Sequence, residues 1–358
     1  DISEKAGLSK ARYDSLEPFQ WPMATRPFKD GAYSTPDQKA RFIAIDVQPQ
    51  STGPQLILNT GRIRDQWHTM TRTGLASSLF QHQGHPFLEM TAADASARDL
   101  AMGDLARVTS QAGVSYLPVY INDRSAGGQV FVPMHWNLQF ASSGSVNRLV
   151  TAITDPVSGQ PALKKTRVSI EKVPVELWLR VNTTTDLPPS ILDRDTINFW
   201  CRVPTQCGQS YDLAVSRDIF SQIEQCVSDL HGTEQTRSFC DSVSGERRSH
   251  GVVGDAIVWS IHTSTVLSSN PTNDLPDTSE WRDLSSLQRS AEAMSPRVCT
   301  CYEVSELSIV QAIQAGADSP EKLGERLRCG TNCGSCVPEL NRLIRDQSDS
   351  IQSKVVGA

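Results

Sequence analysis

The alternation of apolar and polar residues changes character along the chain. From about residue 31 to residue 173, short apolar runs rich in β-branched and aromatic residues are separated by turn signals, which is typical of strands. We predict strands at residues 40–47, 55–59, 86–90, 104–109, 114–121, 129–134 and 166–173. A Thr91-Ala-Ala-Asp94 capping box predicts one short helix among them, ending near Arg98. Many irregularly spaced strands with few helices predict a closed β-barrel rather than a doubly wound sheet.

Residues 174–294 give a weaker pattern. Strand-like runs at 175–181, 197–203 and 256–264 alternate with one helical run at 217–230. A stretch rich in Ser, Thr, Asp and Pro at 265–283 is typical of a linker. We therefore expect a small α+β spacer domain in this region. Four cysteines of the region fit no ligand spacing and are expected to be isolated thiols: Cys201, Cys207, Cys226 and Cys240.

Between residues 297 and 345 the pattern becomes helical. Ser305 can cap a first helix, which ends at Gly316. Ser319 followed by Pro320 is typical of the start of a second helix, and apolar residues after Cys336 predict a third. We expect a small all-α domain here.

Five of the nine cysteines lie within this helical region. Cys299 and Cys301 form a Cys-x-Cys pair, and Cys333 and Cys336 form a Cys-x-x-Cys pair after an intervening helical stretch. Two pairs of thiolates that the fold brings together predict a soft four-sulfur cage for a metal. The spacing alone suits either zinc or an iron–sulfur cluster, and disulfides are a third reading.

Composition bounds the remaining possibilities. With 358 residues and 39.3 kDa, the chain has room for two or three domains. The net charge of −6 and the lack of a long basic run argue against nucleic-acid binding. No apolar run approaches eighteen residues, so we expect no membrane span. No signal peptide follows Asp1, and with cysteines in a cluster spacing we expect the protein to lie in the reducing cytoplasm. The first residue is not methionine, and residues 1–30 have the pattern of a linker from a missing upstream region.

The segment 58–74, here called the 58–74 loop, combines several groups that bind phosphates and flat rings. It begins where a strand ends, and Gly61 permits a close backbone approach. Hydroxyl side chains and Arg62 can bind phosphate, and Trp67 can cover a ring. The alternative is a polar loop at the barrel rim whose side chains cap backbone groups.

The order of sequence phrases adds a resemblance to a known family. NTGR…WHTMTRTG, PFLEMTAADASARDLAMGDLARVTSQAG, GGQVFVPMHW, SVNRLV and DPVSGQPALKKT resemble the double-psi-like, dinucleotide-binding barrel of bis-molybdopterin guanine dinucleotide oxidoreductases. QWP, MHW and QFASSG are most similar to the C-terminal part of the cytoplasmic, assimilatory nitrate reductase catalytic subunits. Residues 297–345 resemble the two-iron two-sulfur domain of bacterioferritin-associated ferredoxin. The resemblance covers about residues 13–172 and 297–345.

This resemblance implies two sets of site residues. The guanine-nucleotide end of the cofactor would be bound by Thr60, Gly61, Arg62, Trp67, His68, Thr69, Asn147 and Lys164. The 2Fe-2S cluster would be ligated by Cys299, Cys301, Cys333 and Cys336, with Cys329 left outside the ligand set. Arg72 and Thr73 lie at the end of the same loop without an assigned role. The family's catalytic residues have no counterpart in this chain.

The resemblance also implies a domain organisation and a function. We expect a linker at 1–30, a molybdopterin dinucleotide-binding barrel at 31–173, a spacer and linker at 174–294, the 2Fe-2S domain at 295–347 and a tail at 348–358. The implied function is cofactor binding and electron entry in a molybdenum nitrate reductase, with a ferredoxin or flavoprotein as electron donor. A 4Fe-4S cluster is expected only upstream. The alternatives are a stand-alone electron-transfer or cofactor-binding module and another molybdopterin oxidoreductase such as formate dehydrogenase.

Overall fold

The computed structural model describes residues 9–18, 26–44, 55–242, 245–267 and 295–356. The chain divides into two compact units, Asp1–Gly53 and Pro54–Ala358. In the first unit, helix α1 spans Lys10–Asp14, and residues 26–44 contain turns without a helix or strand. The predicted strand at 40–47 is therefore wrong over residues 40–44, and residues 45–47 lie outside the described residues. Phe42 and Ile43 are exposed, so the described part of this apolar run packs into no core.

The second unit begins with a closed six-stranded barrel, which confirms the predicted fold. Its strands are β1 (Leu56–Gly61), β2 (Leu88–Met90), β3 (Leu105–Thr109), β4 (Val114–Ile121), β5 (Gln129–Pro133) and β6 (Thr166–Val173). They close in the order β1-β5-β2-β4-β3-β6. The β1–β5 and β2–β4 pairs are parallel and the other four pairs are antiparallel. Closure leaves none of these six strands as a free edge.

Side-chain alternation along the strands builds the barrel core. Leu56, Leu58 and Thr60 of β1 are buried, while the residues between them are only partly covered. Leu88 and Val130 join the same apolar cluster from neighbouring strands. Because the side-chain period is two, this register also determines which residues of β1 reach the barrel end.

The short helix α2 (Ala92–Ser96) begins as the capping box predicts. The hydroxyl of Thr91 accepts a hydrogen bond from the Asp94 backbone N–H at 3.1 Å. The reciprocal bond differs, because the Asp94 carboxylate accepts from the Thr91 hydroxyl and from the backbone N–H of Gly128. Asp94 therefore ties the helix start to the loop before β5 instead of completing the capping box.

A six-stranded antiparallel sheet follows the barrel. Its strands are β7 (Leu177–Thr183), β8 (Ile197–Pro204), β9 (Gln209–Val215), β10 (Gln235–Cys240), β11 (Arg247–Val253) and β12 (Ala256–Ser264), in the order β10-β11-β12-β7-β9-β8. Helices α3 (Pro189–Leu192) and α4 (Phe220–His231) complete the region. The apolar side chains of Phe220, Ile223 and Val227 attach α4 to the sheet core. The predicted strands at 175–181, 197–203 and 256–264 correspond to β7, β8 and β12, and the predicted helix at 217–230 corresponds to α4.

Strands β9, β10 and β11 were not predicted. β9 carries the buried Asp212, β10 is exposed along its whole length, and β11 begins with two arginines. Polar residues in these strands obscure the period of two that identifies a strand in a sequence. The region is therefore mainly an antiparallel sheet. Of the linker predicted at 265–283, residues 268–283 lie outside the described residues.

The sheet packs on the barrel through buried polar contacts. His85, from the segment before β2, places Nε2 2.5 Å from Oδ2 of Asp212, and Arg180 donates two hydrogen bonds to the same carboxylate. The Arg202 backbone N–H also donates to the Phe140 carbonyl at 2.7 Å. All nine cysteines are free thiols, so the disulfide reading is not supported.

The C-terminal region confirms the three predicted helices. They are α5 (Glu306–Gln314), α6 (Pro320–Leu327) and α7 (Val337–Val356). Ser305 and Ser319 accept hydrogen bonds from backbone N–H groups in the first turns of α5 and α6. The region is not purely helical, because β13 (Arg297–Cys299) and β14 (Val304–Ser305) form a two-stranded ladder. α7 continues into the stretch predicted as a tail. No helix among the described residues has the length and apolar character of a membrane span.

Candidate functional site

The barrel register brings the candidate nucleotide residues to one end. Gly61 ends β1 opposite Pro133 at the end of β5, and Thr166 begins β6 beside Leu58. The turn between β3 and β4 lies at the same end, because Thr109 pairs with Val114. The sequence positions of the 58–74 loop and of Lys164 therefore converge, although they lie about a hundred residues apart.

Asn147 reaches this end of the barrel through a separate contact. It lies in the 3-10 helix Val146–Leu149 and is exposed. The carbonyl oxygen of Arg148 would lie 2.7 Å from a Cβ at Gly113, in the β3–β4 turn. This close approach needs glycine at 113, and it holds the Asn147 segment beside the ends of β3 and β4.

Thr60 organises the exit of β1. Its buried hydroxyl donates to the Leu163 carbonyl at 2.9 Å, and the Lys164 ammonium donates to the Thr60 carbonyl. A Cβ at Gly61 would lie 2.9 Å from the ring of Phe131, so glycine lets the chain leave the barrel beside this ring. Thr60 and Gly61 therefore shape the loop, whereas Lys164 places a positive charge at its base.

The centre of the loop is a left-handed turn. His68, Thr69 and Met70 have φ values of 46°, 51° and 63°, a region that residues other than glycine rarely occupy. Met70 anchors the turn in the core, and Asn137 donates its side-chain N–H to the Thr69 carbonyl at 3.2 Å. The turn holds the exposed Trp67 at its start and the exposed side chains of His68 and Thr69.

Electrostatics at this end favour an anion. Arg62, Arg72 and Lys164 are exposed, and their charges suit phosphate oxygens. His135 accepts a hydrogen bond from the Ile63 N–H at 3.1 Å through Nε2, so its ring is neutral at that nitrogen. Burial, and then the charge of Arg62, lower the pKa of His135. Thr73 is buried and offers its side chain to no ligand on the surface.

The four predicted cluster ligands lie in two pairs. Sγ of Cys301 is 3.4 Å from Sγ of Cys333, and both side chains are exposed. Cys299 and Cys336 are buried, and interaction with Cys299 contributes to the raised pKa of Cys336. Within the described ranges, no three potential metal ligands meet at one point. The four thiols of the predicted cage therefore lie as two pairs, and four cysteine sulfurs are the donor set of a 2Fe-2S cluster.

Local structure determines the surroundings of these cysteines. Gly330 and Gly334 have φ values of 82° and 72°, which allow the chain to turn tightly around Cys333. Burial, followed by the charge of Cys299, raises the pKa of Cys336 to about 11, so metal binding must displace this proton. Cys329 is also buried, and its thiol donates to the Leu323 carbonyl at 3.6 Å.

An ionic cluster between the 58–74 loop and α7 was not predicted. Arg64 donates to Oε2 of Glu339 at 2.8 Å and to the carboxylate of Asp65 at 2.8–3.0 Å. His82 lies between the same two carboxylates, with Nδ1 3.1 Å from Asp65 and Nε2 3.1 Å from Glu339. We call these four residues the ionic cluster. It joins the candidate nucleotide loop directly to the helix that follows Cys336.

The sequence carries only a faint signal for this cluster. Adjacent opposite charges at Arg64 and Asp65 lie in a loop that is otherwise polar, and Glu339 occupies the first turn of α7, where an acidic residue is common for helix-dipole reasons. His82 is among the scattered histidines. Because the partners are up to 275 residues apart, no local pattern links them.

Comparisons with known proteins agree with this arrangement. Residues 56–167 match the family model of the molydopterin dinucleotide binding domain, and residues 297–346 match that of the BFD-like [2Fe-2S] binding domain. A nitrate reductase of Klebsiella oxytoca is 35% identical over 96% of this chain and 40% of its own length. A nitrate reductase of Shewanella frigidimarina is 34% identical over 50% of this chain and 22% of its own length. The chain thus spans less than half the length of these relatives.

A solved structure, acetylene hydratase from Pelobacter acetylenicus, matches 33% of this chain and 18% of its own, with a TM-score of 0.30 and 16% identity. That similarity is too low to carry an argument. The two family models, by contrast, confirm the predicted cofactors, a molybdopterin dinucleotide and a 2Fe-2S cluster.

Proposed function

We propose that this chain, which combines a molybdopterin dinucleotide-binding domain with a BFD-like [2Fe-2S] domain and is homologous to nitrate reductases, is the cofactor-binding and electron-entry portion of an assimilatory nitrate reductase. The observation that carries the proposal is the homology to one nitrate reductase over 96% of the chain, which includes both domains and the sheet between them. When bound, the molybdenum bis(molybdopterin guanine dinucleotide) supplies the redox chemistry that turns nitrate, two electrons and two protons into nitrite and water.

The barrel end binds the nucleotide part of that cofactor. Arg62 and Lys164 are placed to neutralise its phosphates, because both are exposed beside the exit of β1. Trp67 offers a half-exposed ring to a flat base, and Asn147 offers an amide with both a donor and an acceptor. The left-handed turn holds Trp67, His68 and Thr69 in place before the cofactor arrives, which lowers the entropy lost on binding.

The cysteine pairs bind the 2Fe-2S cluster and receive electrons. The exposed pair, Cys301 and Cys333, leaves one side of the cluster at the surface, where a ferredoxin or flavoprotein can approach it. The buried pair, Cys299 and Cys336, holds the other side against the apolar core of the domain. Free thiols in a cluster spacing fit the reducing cytoplasm, where we place the enzyme.

The test is an anaerobic assay of the full-length enzyme that contains this chain. Reduced viologen supplies electrons, and nitrite is measured after addition of nitrate; formate oxidation is measured in parallel. Nitrite formation in proportion to the enzyme, without formate oxidation, is the expected result. Formate oxidation without nitrite formation would assign the chain to a formate dehydrogenase. Neither activity, in an enzyme loaded with molybdenum and iron, would leave only the electron-transfer module and reject the proposal.

A further inference from the structure

The ionic cluster lies where the two cofactor regions meet. Arg64 and Asp65 follow the proposed phosphate-binding Arg62 by two and three residues, and Glu339 follows the proposed ligand Cys336 by three residues. We propose that Arg64, Asp65, His82 and Glu339 form an ionic clamp that sets the position of the 2Fe-2S domain on the dinucleotide-binding barrel. The inference rests on the proposed function only in assigning the loop and the cysteines to their cofactors.

The clamp is geometrically complete. The Arg64 guanidinium contacts two carboxylates, and each of these carboxylates also contacts one ring nitrogen of His82. Since ionised carboxylates only accept hydrogen bonds, both ring nitrogens of His82 must carry protons. Two cations then face two anions, and the four side chains together carry no net charge.

Partial burial makes the four charges depend on one another. Between 7% and 24% of each side chain is exposed. Removing one member of a buried ionic group leaves its partner charged without compensation, which destabilises more than the intact group stabilises. A buried ionic group of this kind adds little net stability, and its main effect is to fix how two elements pack on each other. The clamp therefore specifies where α7 lies on the barrel.

A second contact fixes the direction of α7. Glu339, Arg342 and Asp346 have helical spacings of three and four, which place them on one face of α7. Arg342 contacts both Glu339 and Asp346, and Asp346 pairs with Arg124 from the loop between β4 and β5. The face of α7 that meets the barrel is thus charged at both ends, and the clamp forms the more buried end.

The clamp also lies beside a proposed cluster ligand, because the Glu339 backbone N–H donates to the Cys336 carbonyl at 3.0 Å. Burial lowers the pKa of Arg64, but the hydrogen bond and charge of Asp65 and the charge of Glu339 outweigh burial and raise it. A cation between the nucleotide loop and Cys336 gives both cofactor regions a shared neighbour. A shift of α7 would change the position of Cys336 relative to Arg64 and also the distance between the two proposed cofactor sites.

Hydrogen exchange of the full chain, followed by mass spectrometry, tests the clamp. The variants are Arg64→Met, Glu339→Gln and the double variant, and the matched control is Glu325→Gln, an exposed carboxylate on α6. We expect amides at 62–66, 79–83 and 337–342 to exchange about a hundredfold faster in each single variant. Because either change releases the same contact, the double variant should exchange little faster than the singles. The control should match the wild type.

Cluster content separates the clamp from a folding defect. Visible absorbance and the electron paramagnetic resonance spectrum of the reduced cluster should be retained in both single variants, since the cysteines are unchanged. Retained cluster with exchange equal to the control would overturn the clamp. If Arg64→Met or Glu339→Gln loses its cluster, His82→Gln provides the test of the clamp, because His82 is far from the cysteines in sequence. A retained cluster together with unchanged exchange at 337–342 in His82→Gln would overturn the clamp.

These readouts need neither nitrate nor the dinucleotide. A wild-type chain without iron would count against the cluster assignment, and an enzyme without nitrite formation would count against the proposed function. Hydrogen exchange at the 58–74 loop and at α7 tests the clamp whichever of these two results is obtained.

Discussion

Glu339→Gln should destabilise the docked 2Fe-2S domain by an amount that the structure allows us to work out. Burial raises the pKa of this carboxyl, but the hydrogen bond from His82 and the charges of His82, Arg64 and Arg342 outweigh burial and lower the pKa from 4.5 to about 2. Glutamine keeps the shape of the side chain and removes the charge. The substitution therefore deletes the interaction that lowers the pKa.

The pKa difference gives the magnitude. A fall from 4.5 to about 2 is about 2.5 pH units, and each unit corresponds to about 1.4 kcal/mol. The charged form of Glu339 thus contributes about 3 kcal/mol at neutral pH. One fifth of the side chain is exposed, so solvent screening leaves most of this value in place. The same size is expected when one partner is removed from a buried ion pair, about 3–5 kcal/mol.

The sign of the pH dependence follows from the direction of each pKa change. The folded-state pKa of Glu339 is lowered, so its stabilisation is fully present above pH 4.5 and is lost as the pH falls toward 2. The pKa of His82 is raised by Asp65 and Glu339 against the effect of burial. Its stabilisation is fully present below pH 6.5 and is lost as the pH rises through the folded-state pKa. The wild-type clamp is therefore strongest between pH 4.5 and 6.5.

Urea unfolding under anaerobic conditions measures the effect. Midpoints for the wild type, Glu339→Gln and Glu325→Gln are compared at pH 7 and pH 5, with the visible absorbance of the cluster as the probe of its domain. We expect the Glu339→Gln loss at pH 5 to be at least as large as at pH 7, because Glu339 is ionised at both values and the stabilisation by His82 is complete only below pH 6.5. A loss below about 1 kcal/mol, smaller than the low end for a buried ion pair, would refute the reasoning. So would a loss that becomes smaller between pH 7 and pH 5.

Three further predictions address the cofactor sites and the chain as a whole. Serine at any of the four predicted ligand cysteines should abolish or severely weaken the cluster, because a hard oxygen replaces a soft thiolate. Cys329→Ser should leave the cluster intact. Iron and sulfide analysis measures the cluster content, and stoichiometric zinc would contradict the prediction. Arg62→Ala should weaken dinucleotide binding by about 1.5–3 kcal/mol, the size of a charge-assisted hydrogen bond, and unchanged cofactor retention and activity in the full-length enzyme would reject the assignment. The 358-residue chain alone should carry a redox-active cluster without reducing nitrate, because we assign no catalytic residue to it; steady nitrite formation from reduced viologen would show otherwise.

Local sequence patterns were sufficient for the elements that bury one face. The six barrel strands, with β2 two residues shorter than predicted, and the three helices after residue 305 follow from periodicity, caps and turn residues. β10 is exposed along its length, and β9 buries Asp212 against Arg180 and His85, so neither shows the alternation that a sequence can reveal. Their place in the sheet depends on pairing with distant strands.

The candidate sites divide in the same way. Spacing alone marked the four proposed ligand cysteines, but it did not reveal that one pair is buried and the other exposed, because burial depends on how the helices pack. The loop composition marked Arg62 and Trp67. The sequence did not predict the clamp, because His82 and Glu339 come together only when the 2Fe-2S domain packs on the barrel. Neither segment has a local sequence pattern that indicates this contact.

The left-handed turn at His68, Thr69 and Met70 has a consequence for protein engineering. A screen for thermostability alone would favour glycine or asparagine at Thr69, since a β-branched residue fits this backbone region poorly. Such a replacement would also remove the hydroxyl and loosen the backbone that holds Trp67. If the loop binds the dinucleotide as proposed, the demands of heat stability and of cofactor binding are therefore opposed at this position, and variants selected for heat resistance are expected to lose cofactor before the barrel unfolds.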